Sequence, residues 1–124
     1  MPALSTATAN ALLNRVLRGA AYTPPTNLYV ALFTTPVSPT EVGTEVTGGS
    51  YARQKVTFNA AAEGSAVNTD DIVILGMPAT SIVSLAIMSA ATAGEHLWYG
   101  PLAKTTNDGD TFTIRAGDLN LGFL

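Results

Sequence analysis

The chain has 124 residues, of which 47% are hydrophobic and only 12% are charged, and its net charge is −3 at pH 7. Its length suits one domain with one modest core. It contains no cysteine, which excludes disulfides and thiolate metal sites, and its basic residues are scattered, so we predict no nucleic-acid partner. The low charge content favours a surface that is partly covered by a partner, the alternative being a surface rich in Thr, Ser and Asn.

The first predicted element is a helix from Ser5 to Arg18. Its apolar residues recur every three or four positions and form one stripe, which consists of Ala9, Leu12, Leu13, Val16 and Leu17. Ser5 is a suitable N-cap, and Leu4 and Ala9 occupy the two hydrophobic-staple positions. Gly19 can adopt the left-handed conformation that ends a helix.

An extended arm follows this helix, because Pro24 and Pro25 donate no backbone hydrogen bonds and restrict the residues before them. Residues 28–34 are apolar on both faces and predict a central strand. Residues 35–50 show no periodicity and predict a long loop. Such a loop is either functional or a flexible surface excursion, and the sequence leaves both interpretations open.

Residues 72–94 carry no charge and are long enough to span a bilayer as a helix. Gly76 and Pro78 interrupt the segment, and several Ser and Thr residues dilute it. We therefore predict two buried strands at residues 72–75 and 82–88, and no membrane partner.

Further strands are predicted at residues 51–58, 66–69, 96–99, 102–106 and 111–115. The Gly100-Pro101 pair is expected to end the strand at 96–99. The turn at residues 107–110 is expected to join its two neighbouring strands as a hairpin. A final strand is predicted from the alternation of Leu119, Leu121 and Phe123.

Many short strands separated by turns predict a mainly β fold, an antiparallel β-sandwich or small barrel with one N-terminal α-helix. We expect one compact domain overall. Within it, residues 1–26 form the helix and the proline-bearing arm, and residues 27–124 form the β domain.

The residues that could carry chemistry are better explained as structural. His96 is the only histidine, and Ser50, its candidate nucleophile, does not lie in a nucleophile-elbow sequence. The Asp70-Asp71 and Asp108-Gly109-Asp110 pairs lack calcium-loop spacing and suit turns. We predict no catalytic, cofactor or metal site, and no enzymatic activity.

Five stretches of the chain, taken in order, carry a resemblance: residues 4–19, 28–34, 43–58, 97–102 and 108–112. With them the chain resembles a family of small tailed-phage virion structural proteins that are often labelled phage tail fibre proteins. The resemblance implies a non-enzymatic virion component that is assembled in the host cytoplasm.

Two virion roles suit a compact domain that has no heptads or tandem repeats for a fibre shaft. We favour a capsid cement protein that bridges neighbouring capsomers, with the major capsid protein or other virion proteins as partners and with a homo-oligomer, a dimer or trimer, as its state. The alternative is a small tail fibre or baseplate component, including a receptor module that binds a carbohydrate. The candidate partner-contact residues are Pro24, Pro25, Pro36, Pro39, Glu41, Val42, Glu45, Val46, Leu119, Leu121 and Phe123.

Overall fold

A computed structural model describes residues 3–122 of the chain. Its elements, in order, are β1 (Ala3–Leu4), α1 (Thr6–Arg18), β2 (Leu28–Phe33), β3 (Gln54–Val56), β4 (Ser65–Val67), β5 (Ile72–Met77), β6 (Thr80–Met88), β7 (His96–Thr106), β8 (Asp110–Ile114) and β9 (Asn120–Gly122). All strand pairs in this part of the chain are antiparallel.

Three sheets enclose the main core. The largest has five strands in the order β1-β7-β6-β2-β3, and β4–β9 and β5–β8 form two separate ribbons. The core combines side chains from the large sheet with side chains from both ribbons: Val30, Leu32, Ile82, Ile87, Ile72, Ile74, Phe112, Leu119 and Leu121. The open sheets make this a β-sandwich rather than a closed barrel, which confirms the predicted fold class.

Strand β2 is central, as predicted, because it pairs with β6 on one side and β3 on the other. Its successive side chains face opposite layers. Val30 and Leu32 enter the main core, whereas Ala31 and Phe33 enter a second, smaller apolar cluster on the other face of the sheet. Both faces of the strand are therefore buried.

The long loop at residues 35–50 covers this second face. Val37 packs into the second cluster, and Val46 reaches the main core. The loop is also held along the sheet, because the Thr34 N–H donates to the Thr44 carbonyl at 2.8 Å and the Val46 N–H donates to the Leu32 carbonyl at 2.9 Å. The loop is packed against the sheet and hydrogen-bonded to it, which argues against the interpretation that it is a flexible surface excursion.

Strand β7 is longer than predicted. It continues through Pro101 to Thr106 and pairs with β6 over most of its length, so the expected end at Gly100-Pro101 is wrong. Beyond Tyr99, the side of β7 opposite β6 has no partner strand within residues 3–122. Proline is tolerated in a strand where its missing N–H would face an open edge.

The predicted hairpin across residues 107–110 is also wrong in its pairing. The turn forms, with the Asn107 N–H donating to Asp110 Oδ2 at 2.8 Å. However, β8 pairs with β5 and not with β7. Strand β7 is already paired with β6, so the turn carries the chain from the large sheet to the opposite layer.

The helix has the predicted ends. Ser5 is the N-cap, and its Oγ accepts from the Thr8 N–H, while Gly19 adopts φ 66° at the C-terminal end. The first turn is tied to the sandwich, because the Ser5 N–H donates to the Leu97 carbonyl and the Thr6 N–H to the Pro39 carbonyl, both at 2.8 Å. An apolar stripe usually faces a core, but here residues 13–21 are all exposed.

The uncharged segment at residues 72–94 contains β5 and β6, as predicted, although the two strands belong to different layers. Within the described part of the chain, no helix is sufficiently long and apolar to cross a membrane.

Candidate interaction surfaces and the network that supports them

A polar network anchors the loop at residues 35–50 to the sandwich. Arg53 grips the Glu45 carboxylate with two hydrogen bonds, from Nη2 to Oε1 at 2.8 Å and from Nε to Oε2 at 2.9 Å. Its Nη1 donates to the carbonyl oxygens of Ala90 and Ala93 at 2.9 and 2.7 Å. The side chain of Arg53 is only 8% exposed. One guanidinium therefore joins the long loop to the loop that links β6 and β7.

Tyr51 completes this network. Its hydroxyl donates to Glu45 Oε2 at 2.6 Å and accepts from the Leu32 N–H at 3.0 Å. The network thus connects the long loop to the central strand β2 as well. Glu45 is a predicted partner-contact residue, but its carboxylate is bound within the molecule by Arg53 and Tyr51.

The electrostatics of the network keep Glu45 ionised. Burial by itself would raise the pKa of Glu45, but the hydrogen bonds from Arg53 and Tyr51, together with the charge of Arg53, outweigh it and lower the pKa from its ordinary value of 4.5. Burial and the hydrogen bond to Glu45 raise the pKa of Tyr51. The hydrogen bond to Glu45 also raises the pKa of Arg53. The three groups are held as carboxylate, phenol and guanidinium.

A cleft of about 730 Å³ lies beside this anchored loop, between the start of α1 and the residues that precede β7. It is lined by three of the predicted partner-contact residues, Pro39, Glu41 and Val42, and by Glu95. The structure therefore gathers the middle of the long loop and a second acidic residue on one concave surface.

The same cleft contains His96, whose role in the structure is to hold the loop. Its Nε2 lies 2.9 Å from the Ser38 carbonyl oxygen, and its ring meets the Tyr99 ring edge-on, with centroids 6.0 Å apart. The ring contact within β7 orients His96, and the contact with Ser38 holds the loop that forms one wall of the cleft.

The other predicted contact residues are distributed differently. Pro24 and Pro36 are exposed, and Pro25 is half-buried. Three of the predicted contact residues lie in the core, where Val46 and Leu119 are covered by the molecule itself and Leu121 also lines an apolar groove. Leu119 and Leu121 are buried because side chains alternate between the two faces at the start of β9, and the exposed Asn120 between them faces outward. Phe123 lies outside the described residues.

Two apolar surfaces were not identified as contact sites from the sequence. The first is the exposed face of α1, where Leu13, Val16 and Leu17 are 56%, 79% and 75% exposed. The second is a groove of about 310 Å³ whose largest lining side chains are Leu28, Phe58, Trp98 and Leu121. The helical stripe was visible in the sequence, but sequence periodicity does not show what covers a stripe.

The acidic pairs that suggested a calcium site serve turns. Asp71 Oδ1 accepts from the Ala116 N–H at 2.8 Å, and Asp110 Oδ2 closes the turn after β7. Among residues 3–122, no group of three His, Asp or Glu side chains is arranged to hold a metal ion.

Asn68 is a buried polar residue whose role the sequence did not reveal. Its Nδ2 donates to the carbonyl oxygens of Asp70 and Arg115, and its Oδ1 accepts from the N–H groups of Gly117 and Leu119, at 2.8 to 3.0 Å. The side chain therefore closes the turn before β9. Three of the four partners lie 47 to 51 residues away in the chain, so local sequence could not show that this side chain is buried and fully hydrogen-bonded.

The model of a family described as "Podophage GP4 fiber I protein gp80" matches residues 3–122, which is the whole of the described fold. The chain belongs to this family. As a fiber I family member it is a phage fibre-type protein and thus a virion structural component. The family description supports the tail fibre alternative better than the capsid cement interpretation. No curated protein matches the chain significantly.

Proposed function

We propose that this chain is a non-catalytic structural module of a phage tail fibre assembly, and that it works by binding neighbouring virion proteins. The observation that carries the proposal is the family match over residues 3–122. Because the match includes α1 and every strand, the fibre description applies to the complete sandwich and not to an appended segment.

The shape of the module suggests its position in such an assembly. A compact domain of this length is about 30 Å across. The chain has no repeats with which to build a shaft, so we assign it to a junction or an end of the fibre apparatus, where compact modules connect longer parts.

The absence of catalysis is part of the proposal, and it is supported by the use of the reactive groups in structural contacts. His96, the one histidine of the sequence, holds the Ser38 carbonyl oxygen at 2.9 Å. Tyr51 binds Glu45, and Trp98 packs against the main core beside the apolar groove, where Ser65 is the one polar side chain among the lining residues of the described chain and offers little hydrogen bonding to a sugar. We therefore include no carbohydrate-binding role.

We assign the cleft beside the long loop to a neighbouring virion protein. Its wall is held in place by the Arg53 network and by His96, so a partner would meet a preformed surface. Two exposed carboxylates, those of Glu41 and Glu95, line it. They favour a partner segment that presents Lys or Arg.

Electron microscopy of particles made without this protein tests the location. The expected result is intact heads that lack density at the tail, restored by supplying the wild-type chain from a plasmid. Quantitative mass spectrometry should find a few copies per virion. Intact tails together with lost density over the head surface, or hundreds of copies per particle, would overturn the tail assignment.

The cleft assignment has its own test. A Glu41→Lys/Glu95→Lys variant should no longer be incorporated into particles during complementation, whereas Glu63→Lys, an exposed acidic residue outside the cleft, should be incorporated normally. Circular dichroism of the purified variants checks that both remain folded. Normal incorporation of the double variant would show that the cleft is not the contact.

A further inference from the structure

The two walls of the cleft are connected through one buried side chain. One wall is the middle of the long loop, which contains Glu41, and the other is the end of the β6–β7 loop (residues 89–95), which contains Glu95. Arg53 is not among the residues that line the cleft, but it bonds to both loops, through the Glu45 carboxylate on one side and through two backbone carbonyl oxygens on the other. This side chain therefore lies where it can fix one wall relative to the other.

Arg53 binds the strained part of the β6–β7 loop. The two ends of this loop are joined, because the Ser89 N–H donates to the Glu95 carbonyl and the Glu95 N–H donates to Ser89 Oγ, both at 2.9 Å. Between them, Ala93 adopts φ 53°, a left-handed conformation that is unfavourable for a residue with a Cβ. The Arg53 Nη1 donates to the carbonyl oxygen of Ala93 at 2.7 Å and to that of Ala90 at 2.9 Å. The guanidinium thus stabilises the strained backbone that leads to Glu95.

The long loop carries the other restraint, from Glu45 to Glu41. Between these residues the loop is in close contact with its own first part, since the Thr44 N–H donates to Thr35 Oγ1 at 2.6 Å. A Cβ on Gly43 would collide with the same hydroxyl group and with the Thr35 carbonyl oxygen, so the two segments have no room to shift against each other. A Glu45 carboxylate that is fixed by Arg53 therefore restrains Glu41 as well.

We propose that Arg53 is the positioning residue of the cleft, which sets the Glu41 wall relative to the Glu95 wall and so determines how well a basic partner segment fits. Its guanidinium presents five N–H donors in a rigid fork, so it can bind a carboxylate and two carbonyl oxygens at once. Arg53→Lys keeps the positive charge, but a single ammonium cannot keep all of these contacts. The inference rests on the proposed use of the cleft and names the residue that controls its geometry.

Amide hydrogen exchange of the full chain tests the positioning role without a partner. Arg53→Lys should speed exchange of the Glu95 N–H roughly tenfold and leave the Glu41 N–H near its wild-type rate, because the pairing with Glu45 is kept. Glu45→Gln should have the reverse effect. The buried Leu119 N–H, far from both loops in the sequence, is the internal control. Equal acceleration at all three amides would overturn the proposal, because Arg53 would then only stabilise the whole fold, and so would unchanged exchange at Glu95 in Arg53→Lys.

Incorporation into particles during complementation connects this geometry to the partner. Arg53→Lys should be incorporated several-fold less than the wild type, although both cleft carboxylates are present, whereas Arg15→Lys, the same change at an exposed position of α1, should be incorporated normally. Normal incorporation of Arg53→Lys, together with exclusion of Glu41→Lys/Glu95→Lys, would overturn the inference and leave the proposed contact standing. Normal incorporation of Glu41→Lys/Glu95→Lys would instead refute the contact itself, and the partner part of this inference with it.

Discussion

At the scale of single residues, Arg53 and Glu45 show how one ion pair organises a loop. Glu45 lies in a 16-residue segment without periodicity, and Arg53 lies just before the short strand β3. Their bidentate contact and the two carbonyl oxygens bound by Arg53 connect three separate segments. Neither residue type nor spacing predicted this contact, because the partners meet only when the loop folds back on the sheet.

Removal of Arg53 should be costly. Arg53→Ala leaves the Glu45 carboxylate partly buried without its cation and leaves the Ala90 and Ala93 carbonyls without a donor, so we expect a loss of about 3 kcal/mol in the free energy of unfolding. Urea denaturation measures the loss, with the exposed Arg15→Ala as the control, expected within about 0.5 kcal/mol of the wild type. Equal effects of the two variants would contradict the structural role of the pair.

The lowered pKa of Glu45 predicts a pH dependence. A carboxyl with a lower pKa in the folded state binds fewer protons there than in the unfolded state, so its contribution is fully present above pH 4.5 and is lost as pH falls through the folded-state pKa. The stability difference between the wild type and Glu45→Gln should therefore be largest near pH 7 and shrink below pH 4.5. A constant difference between pH 7 and pH 3 would refute this role.

Asn68 should be as sensitive as Arg53, although it carries no charge. Asn68→Ala leaves the Leu119 N–H and the Asp70 and Arg115 carbonyl oxygens without their side-chain partner, while the Gly117 N–H keeps the Asn68 backbone carbonyl, and we expect a loss of about 2–3 kcal/mol. Asn120→Ala, an exposed asparagine on β9, is the matched control and should change stability by less than about 0.5 kcal/mol. Thermal denaturation and urea denaturation should both show that Asn68→Ala is less stable than Asn120→Ala.

At the scale of elements, local signals fixed the ends of the helix and long-range pairing fixed the strands. Ser5 and Gly19 act within one turn of themselves, and both lie where the sequence predicted. Strand β7 continues through Pro101 because an open edge tolerates proline. Strand β8 pairs with β5 and not with the preceding strand β7. These partners are far apart in the chain, so turn residues could predict the turn at 107–110 but not what it joins.

The capping interaction of Ser5 gives an element-scale prediction. Ser5→Ala removes the acceptor of the Thr8 N–H and the donor to Thr8 Oγ1, in a residue that is only 1% exposed. We expect a loss of about 1 kcal/mol, with fraying of the first turn. Far-UV circular dichroism during urea denaturation measures it, and Thr6→Ala at the neighbouring exposed position should have a smaller effect. An unchanged Ser5→Ala midpoint would contradict the capping role.

At the scale of the whole molecule, stability should come from the contact between the large sheet and the two ribbons. Adjacent residues of β5 test this, because Ile74 is fully buried in that contact and Leu75 is 63% exposed on the outer face. Ile74→Ala should cost about 2–5 kcal/mol, and Leu75→Ala less than about 1 kcal/mol. Similar losses from both would mean that the outer face of the ribbon is also covered.

The sequence alone determined the mainly β composition, the helix with its two ends, most strand positions and the resemblance to a phage fibre family, because these depend on local periodicity, capping chemistry and ordered short motifs. Only the tertiary structure decided that β8 joins β5, that Leu119 and Leu121 are core, that Glu45 is bound by Arg53 and that the stripe on α1 is exposed. Each of these depends on which distant segments meet, and an amphipathic pattern is the same whether its apolar face is covered by its own chain or by another.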